Sequence, residues 1–184
     1  MTVRFALLAG LWGAVHDQVT FSLSPEYFLK FKFLQFGIAG LPWSPHWLAA
    51  LTGVMASAWV GALAGLWLGL LGIWRPYLYQ RWWPSVTLLA TIALAGGLLG
   101  YLTGVWWLDR FGAAAMQRFV WPGVVAEYDF LLVGFVHTGS YAGAVVGLVL
   151  ATVMIIRQQT AEQVTRQLHT RPCQTAVASE SAER

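Results

Sequence analysis

The chain has 184 residues, of which 58% are hydrophobic and only 10% are charged, whereas ordinary soluble domains carry about 25% charged residues. A mean hydropathy of +0.60 likewise argues against a water-soluble fold. The formal net charge is +3, but the basic residues form no run or stripe. The sequence therefore argues against a nucleic-acid partner. It predicts an integral membrane protein whose main partner is the surrounding lipid bilayer.

The first predicted helix covers residues 3–23, and its apolar part ends at Val15. A helix needs about 20 residues, each rising about 1.5 Å, to cross about 30 Å of hydrocarbon. His16, Asp17 and Gln18 are therefore expected in the outer part of the membrane. No small-residue cleavage site of the signal-peptide type precedes His16, so we expect this segment to be retained as a membrane span.

The connection to the second helix interleaves aromatic residues and lysines from Glu26 to Phe36. Aromatic rings favour the membrane boundary, and lysine side chains extend their ammonium groups toward water. We therefore expect this segment in the headgroup region, with Lys30 and Lys32 directed outward. The turn at residues 42–45, which contains two prolines, is expected to set up the second helix.

Three further apolar segments predict spans over about residues 47–74, 86–108 and 131–156. Small residues recur at every fourth position along them: Gly53, Ser57, Gly61, Gly65 and Gly69, then Gly96, Gly100 and Gly104, then Gly139, Gly143, Gly147 and Ala151. Residues four apart share one side of a helix, and small residues let helices approach closely in lipid. The sequence thus predicts an all-α polytopic fold of four transmembrane helices packed through small-xxx-small glycine stripes. Alternatively, these stripes serve a homo-oligomer or a membrane-protein partner.

Two polar segments accompany the later spans. Residues 113–119 predict a short surface helix before Pro122 and Gly123. Residues 158–184 are rich in Gln, Thr, Ser, Glu and Arg, which predicts a largely disordered tail. The one cysteine of the chain, Cys173, lies in this tail, so an internal disulfide is excluded.

The charges of the short loops predict the orientation. Arg4, Arg75, Arg81 and the arginines after residue 156 fall on one side of a four-span arrangement. The positive-inside rule makes that side cytoplasmic. Five of the eight acidic residues fall on the opposite side: Asp17, Glu26, Asp109, Glu127 and Asp129. We therefore expect a multi-pass protein of the bacterial plasma (inner) membrane with both termini in the cytoplasm.

Three ionisable side chains are predicted within the membrane, namely His16, Asp17 and His137. Such groups are costly in lipid and face the bundle interior or a water-filled cavity. Together with Glu26 and Tyr141 they form a candidate site for a ligand or partner on the outer face. Imidazole and carboxylate groups also suit zinc or iron, which makes His16, Asp17 and His137 an alternative metal site. A proton path and simple hydrogen bonds between helices are further interpretations.

Part of this region shows a resemblance to other proteins. The matching residues are His16-Asp17-Gln18-Val19-Thr20, Ser24-Pro25-Glu26-Tyr27-Phe28 and Lys30-Phe31-Lys32-Phe33. This stretch resembles a motif in uncharacterised small bacterial inner-membrane proteins. The resemblance implies a bacterial membrane protein and implies no activity, cofactor or substrate.

The expected function is that of a non-enzymatic accessory or oligomeric membrane component. A membrane-embedded, metal-dependent enzyme is the alternative, and a proton-coupled transporter subunit is a third class. The spacing of His16 and His137 along the chain does not place them relative to one another. Imidazoles within about 5 Å indicate one shared site, because metal–nitrogen bonds are about 2 Å long.

Overall fold

The computed structural model describes the backbone of residues 1–73 and 82–182 and the side chains of residues 1–71 and 83–157. Within these ranges the fold is all-helical and has no strands, which confirms the predicted class. The helices are α1 (Thr2–Leu23), α2 (Phe33–Gln35), α3 (Pro45–Ile73), α4 (Trp82–Phe111) and α5 (Glu127–Ala182). A π-helical segment at Tyr27–Lys32 precedes α2. A 3-10 helix at Ala113–Phe119 follows α4 and confirms the predicted short surface helix.

Three helices of the described chain are long and apolar enough to cross a membrane: Pro45–Leu71, Trp83–Phe111 and Glu127–Arg157. They correspond to the second, third and fourth predicted spans. The first predicted span corresponds to α1, which has 22 residues but is not among the three. That α1 also crosses the membrane stays a prediction. Arg75 and Arg81, which entered the predicted orientation, lie outside the described residues.

The chain separates into two units, residues 1–148 and residues 149–184. The first unit contains α1 to α4 and the beginning of α5. The second consists of the remainder of α5 and the last residues of the chain. The side chains beyond Arg157, Cys173 included, lie outside the described residues, so the disordered tail stays a prediction.

Two Ser-Pro pairs begin the helical segments that follow α1. Ser24 Oγ accepts a hydrogen bond from the backbone N–H of Tyr27 at 3.3 Å. The carbonyl of Ser44 accepts one from Leu48 N–H at 3.1 Å, and Pro45 is the first residue of α3. Proline suits this position because its φ is already helical and a first-turn N–H would have no partner within the helix. The turn predicted at residues 42–45 therefore ends at the first residue of α3.

Helices α1 and α3 pack in opposite directions with their backbones in close contact. A Cβ atom built on Gly13 would overlap the carbonyl oxygen of Gly53, and one built on Gly53 would overlap Gly13 in return. Further along, a Cβ on Gly61 would overlap the carbonyl oxygen of Phe5. We call the meeting of Gly13 and Gly53 the α1–α3 glycine contact. It leaves no room for a side chain on either helix.

Helices α4 and α5 meet in a similar way. A Cβ on Gly96 would overlap the carbonyl oxygen of Gly139, and one on Gly139 would overlap that of Gly96. One turn further along α5, a Cβ on Gly143 would overlap the carbonyl oxygen of Ile92 on α4. The lack of side chains at these glycines therefore lets the two helices approach closely, as small residues do in membrane helix pairs.

The main apolar core lies where residues 24–44 turn back over the ends of α1, α3 and α5. Its buried members are Phe21, Tyr27, Phe28, Phe33, Ile38, Leu48, Ala49, Phe130 and Val133. Phe28 and Phe33 are almost completely inaccessible. The aromatic segment after α1 was expected to lie in the headgroup region, yet much of it is folded into the protein. These rings form the cover beneath which the polar residues of α1 and α5 meet.

Candidate polar ligand site

Helix α1 directs its small and polar residues inward. Gly10, Gly13, Asp17 and Thr20 are buried on one side, together with Phe5 and Phe21. The spacing of three and four residues places these positions along one face. Asp17 thus reaches the interior because it continues the face that contacts α3 through Gly13.

His16, Asp17 and His137 come together at this end of the structure, and we call these three residues the polar cluster. His16 Nδ1 lies 3.1 Å from Asp17 Oδ1, and His137 Nε2 lies 3.6 Å from the same oxygen. The two imidazole centroids are 4.9 Å apart. The histidines therefore belong to one site, a relation that their positions in the sequence left open.

The polar cluster is enclosed by side chains from the loop and from α5. The rings of Tyr27 and Phe28 meet the His137 ring edge-on, with centroids 5.1 Å and 6.1 Å from it. Ser140 Oγ lies 3.2 Å from His16 Nε2 and orients that ring from the next turn of α5. Asp17 and His137 are each only 5% exposed.

Two polar atoms of the cluster have no hydrogen-bond partner among the described residues: Asp17 Oδ2 and His137 Nδ1. Both atoms are inaccessible to solvent. Leaving a buried polar atom unpaired costs about 1–3 kcal/mol, and most buried polar groups in folded proteins do have partners. These two atoms are free to bind a group that the polypeptide itself does not provide.

Lys32 corrects the expectation that both loop lysines point outward. Lys30 is exposed, but Lys32 is buried, with its Nζ 5.3 Å from the Phe31 ring centroid and 5.8 Å from that of Tyr27. In the π-helical segment the backbone bonds join residues five apart, which brings Lys32 to the side of Tyr27. Burial lowers the pKa of Lys32, and the Asp17 carboxylate opposes that shift.

Glu26 lies apart from the polar cluster. Its Oε2 accepts hydrogen bonds from the backbone N–H groups of Val125 at 2.9 Å and Ala126 at 2.7 Å. These donors immediately precede α5, so the carboxylate joins the loop to the start of that helix. The Ala126 bond, then the Val125 bond, hold the pKa of Glu26 below its usual range.

The other predicted site residue, Tyr141, lies at the edge of the cluster. Its ring centroid is 6.4 Å from that of His137, and the side chain is partly exposed. Of the five predicted residues, the structure thus brings His16, Asp17 and His137 into contact and places Tyr141 beside them. Glu26 is the one it separates.

Several residues around the cluster escaped prediction. Ser140, one turn beyond His137, contacts His16 of α1. Tyr27 and Lys32 approach the site because of the π-helical segment, which residue spacing for an α-helix does not predict. His46, a third histidine at this end, pairs with Gln18 rather than with the cluster: its Nδ1 lies 3.0 Å from Gln18 Oε1.

The polar cluster has the composition of a metal-binding group. One potential ligand atom from each of His16, Asp17 and His137 lies within 4.8 Å of the others. Two nitrogens and a carboxylate oxygen are the donors found in many zinc and iron sites. The same three groups are also able to bind a small polar molecule by hydrogen bonding.

Comparison with known protein families, curated proteins and solved structures finds no match for this chain. The function is therefore inferred from the side chains and their surroundings.

Proposed function

We propose that this chain is a non-enzymatic accessory component of the bacterial plasma membrane that binds a small ligand at the polar cluster. The observation that carries the proposal is the pair of unpartnered, inaccessible atoms, Asp17 Oδ2 and His137 Nδ1. A carboxylate and two imidazoles are costly to place within a membrane, and ionisable residues found there mark functional sites by default. A ligand at the polar cluster that pairs with either atom lowers this cost.

The proposal includes four membrane spans, with α1 as the first. Large apolar side chains at every fourth position of α1 are 40–71% exposed: Val3, Leu7, Leu11, Val15, Val19 and Leu23. They form one continuous apolar face over a helix of 22 residues, which at about 1.5 Å per residue matches about 30 Å of hydrocarbon. A face of this kind requires lipid or another apolar surface against it.

We further propose that both termini are cytoplasmic and that the polar cluster lies toward the outer surface. The distribution of arginines between the loops supports this orientation. The C-terminal end of α1 carries Asp17, and four spans with the first starting inside direct that end outward. A ligand would then enter from the outer side, past the loop that follows α1.

The glycine stripes are assigned to packing within one chain. Gly53, Gly96 and Gly139 each meet the backbone of a neighbouring helix of the same chain, which favours this role over docking of a partner. A homo-oligomer or a complex with another membrane protein would then form through the exposed apolar faces.

Native mass spectrometry of the full chain, released from mild detergent, tests the ligand-binding proposal. We expect a bound non-lipid mass on the wild type that is lost in Asp17→Asn. The matched control is Asp129→Asn, because Asp129 is exposed and lies in the first turn of α5. A wild type that carries no bound mass other than lipid and detergent would overturn the proposal.

A further inference from the structure

We infer that the polar cluster binds one zinc ion through His16, Asp17 and His137, with a fourth coordination position left open. This inference rests on the proposed ligand-binding function and names the chemical class of the ligand. It assigns no catalytic step to the ion.

The distances between the ligand atoms suit a tetrahedral ion. Bonds of about 2.0 Å place neighbouring ligand atoms about 3.3 Å apart in a tetrahedral site. His16 Nδ1 lies 3.1 Å and His137 Nε2 lies 3.6 Å from Asp17 Oδ1, so one distance is slightly shorter and the other slightly longer than this tetrahedral spacing. One ligand atom from each residue lies within 4.8 Å of the others, so tetrahedral coordination requires the two imidazoles to move closer together.

The surroundings of His16 resemble the outer shell of a metal site. When Nδ1 of this imidazole binds a metal, Nε2 carries the proton and donates to an acceptor. Ser140 Oγ, 3.2 Å from Nε2, is in the position of that acceptor. Such partners fix the tautomer and the orientation of the ring. Ser140 is thus a positioning residue for the site.

The unpartnered oxygen of the cluster has a use in the same arrangement. Asp17 Oδ2 is inaccessible and unbonded, and carboxylates bind metal ions through one oxygen or both. With Oδ1 bound to the ion and the fourth position open, Oδ2 remains available as an acceptor for a group that occupies that position.

Substitution of Lys32 distinguishes a zinc site from a cluster that serves only as an ion pair. It is buried beside Tyr27, whose ring contacts His137, so its ammonium repels a metal cation bound at the cluster. Lys32→Met is expected to strengthen zinc binding. If the cluster existed only to neutralise Lys32, the same change would leave zinc uptake absent.

The test uses the untagged full chain in mild detergent, stripped with a chelator and titrated with Zn²⁺ alone. We expect one ion per chain and a more than 100-fold loss of affinity in His137→Gln, since loss of an outer-shell partner alone typically costs about 10–100-fold. Ser140→Ala is expected to fall within that smaller range. His46→Gln, which changes a histidine outside the cluster, is expected to bind as the wild type does. Tetrahedral Co²⁺ absorption provides an independent signature of the geometry.

The outcomes separate the two proposals. Folded wild type that takes up no Zn²⁺, or takes it up equally in His137→Gln, overturns the zinc site. If native mass spectrometry still shows an organic ligand that depends on Asp17, the ligand-binding proposal stands. If His137→Gln does not elute as a folded species, Ser140→Ala and Lys32→Met decide the question, because an unchanged affinity in both contradicts the inference.

Discussion

At Gly13 and Gly53 the backbones of α1 and α3 touch without a side chain between them, whereas one turn further along α1, at Asp17, imidazole and carboxylate groups bridge the space to α5. The first region has no room for an additional atom, whether from a larger side chain or from a ligand. The second retains polar atoms that have no partner in the protein. We infer that the α1–α3 glycine contact determines stability and that the polar cluster determines what is bound, so mutations in the two regions should have different consequences.

The largest effect is expected from Gly13→Ala. Its new Cβ would overlap the Gly53 carbonyl oxygen, and because the obstacle is backbone, the helices must separate. Overpacking typically costs about 1–3 kcal/mol, and we expect at least the upper end of that range. Thermal unfolding in mild detergent, with gel filtration to follow the folded fraction, measures the change.

Gly10→Ala is the matched control for this comparison. A Cβ at Gly10 would lie 3.5 Å from Ala58 and Val54, an ordinary contact. Replacing a helical glycine by alanine is favourable by up to about 1 kcal/mol, so this variant is expected to be as stable as the wild type or slightly more so. Equal destabilisation by the two alanines would show that close approach at Gly13 is not what matters.

A smaller effect is expected from Glu26→Gln, which probes the link between the loop and α5. The folded-state pKa of Glu26 lies below its ordinary value because the Ala126 and Val125 N–H groups favour the carboxylate. Its stabilising contribution is therefore fully present above about pH 4.3, the usual pKa of glutamate. It is lost as the pH falls through the lower folded-state value.

The measurement is the melting temperature across this acidic range. On acidification, the melting temperature of the wild type is expected to fall further than that of Glu26→Gln. Asp129→Asn is the control for an acidic residue near the start of the same helix. Parallel pH profiles for the wild type and Glu26→Gln would contradict the assigned hydrogen bonds.

The two regions also differ in how far they are predictable. The repeats of Gly53 and Gly96 predicted helix faces suited to close packing, because helical periodicity and side-chain size depend on the sequence locally. His16 and His137 were identified as buried ionisable groups, but their contact depends on the rotation and order of the helices. The burial of Lys32 depends on a π-helical segment, which local propensity does not predict.

The smallest effect on stability is expected from His137→Leu, measured on chelator-treated protein. The change removes the unpartnered Nδ1 atom and places apolar volume beside Tyr27 and Phe28, whose rings already contact this position. The lost 3.6 Å contact with Asp17 opposes that gain, so the net change in the free energy of unfolding is expected within about 1 kcal/mol. Zinc binding is expected to be lost in the same variant. Destabilisation as large as that of Gly13→Ala would instead mean that the polar cluster holds α1 and α5 together, and the division between a packing region and a binding region would be wrong.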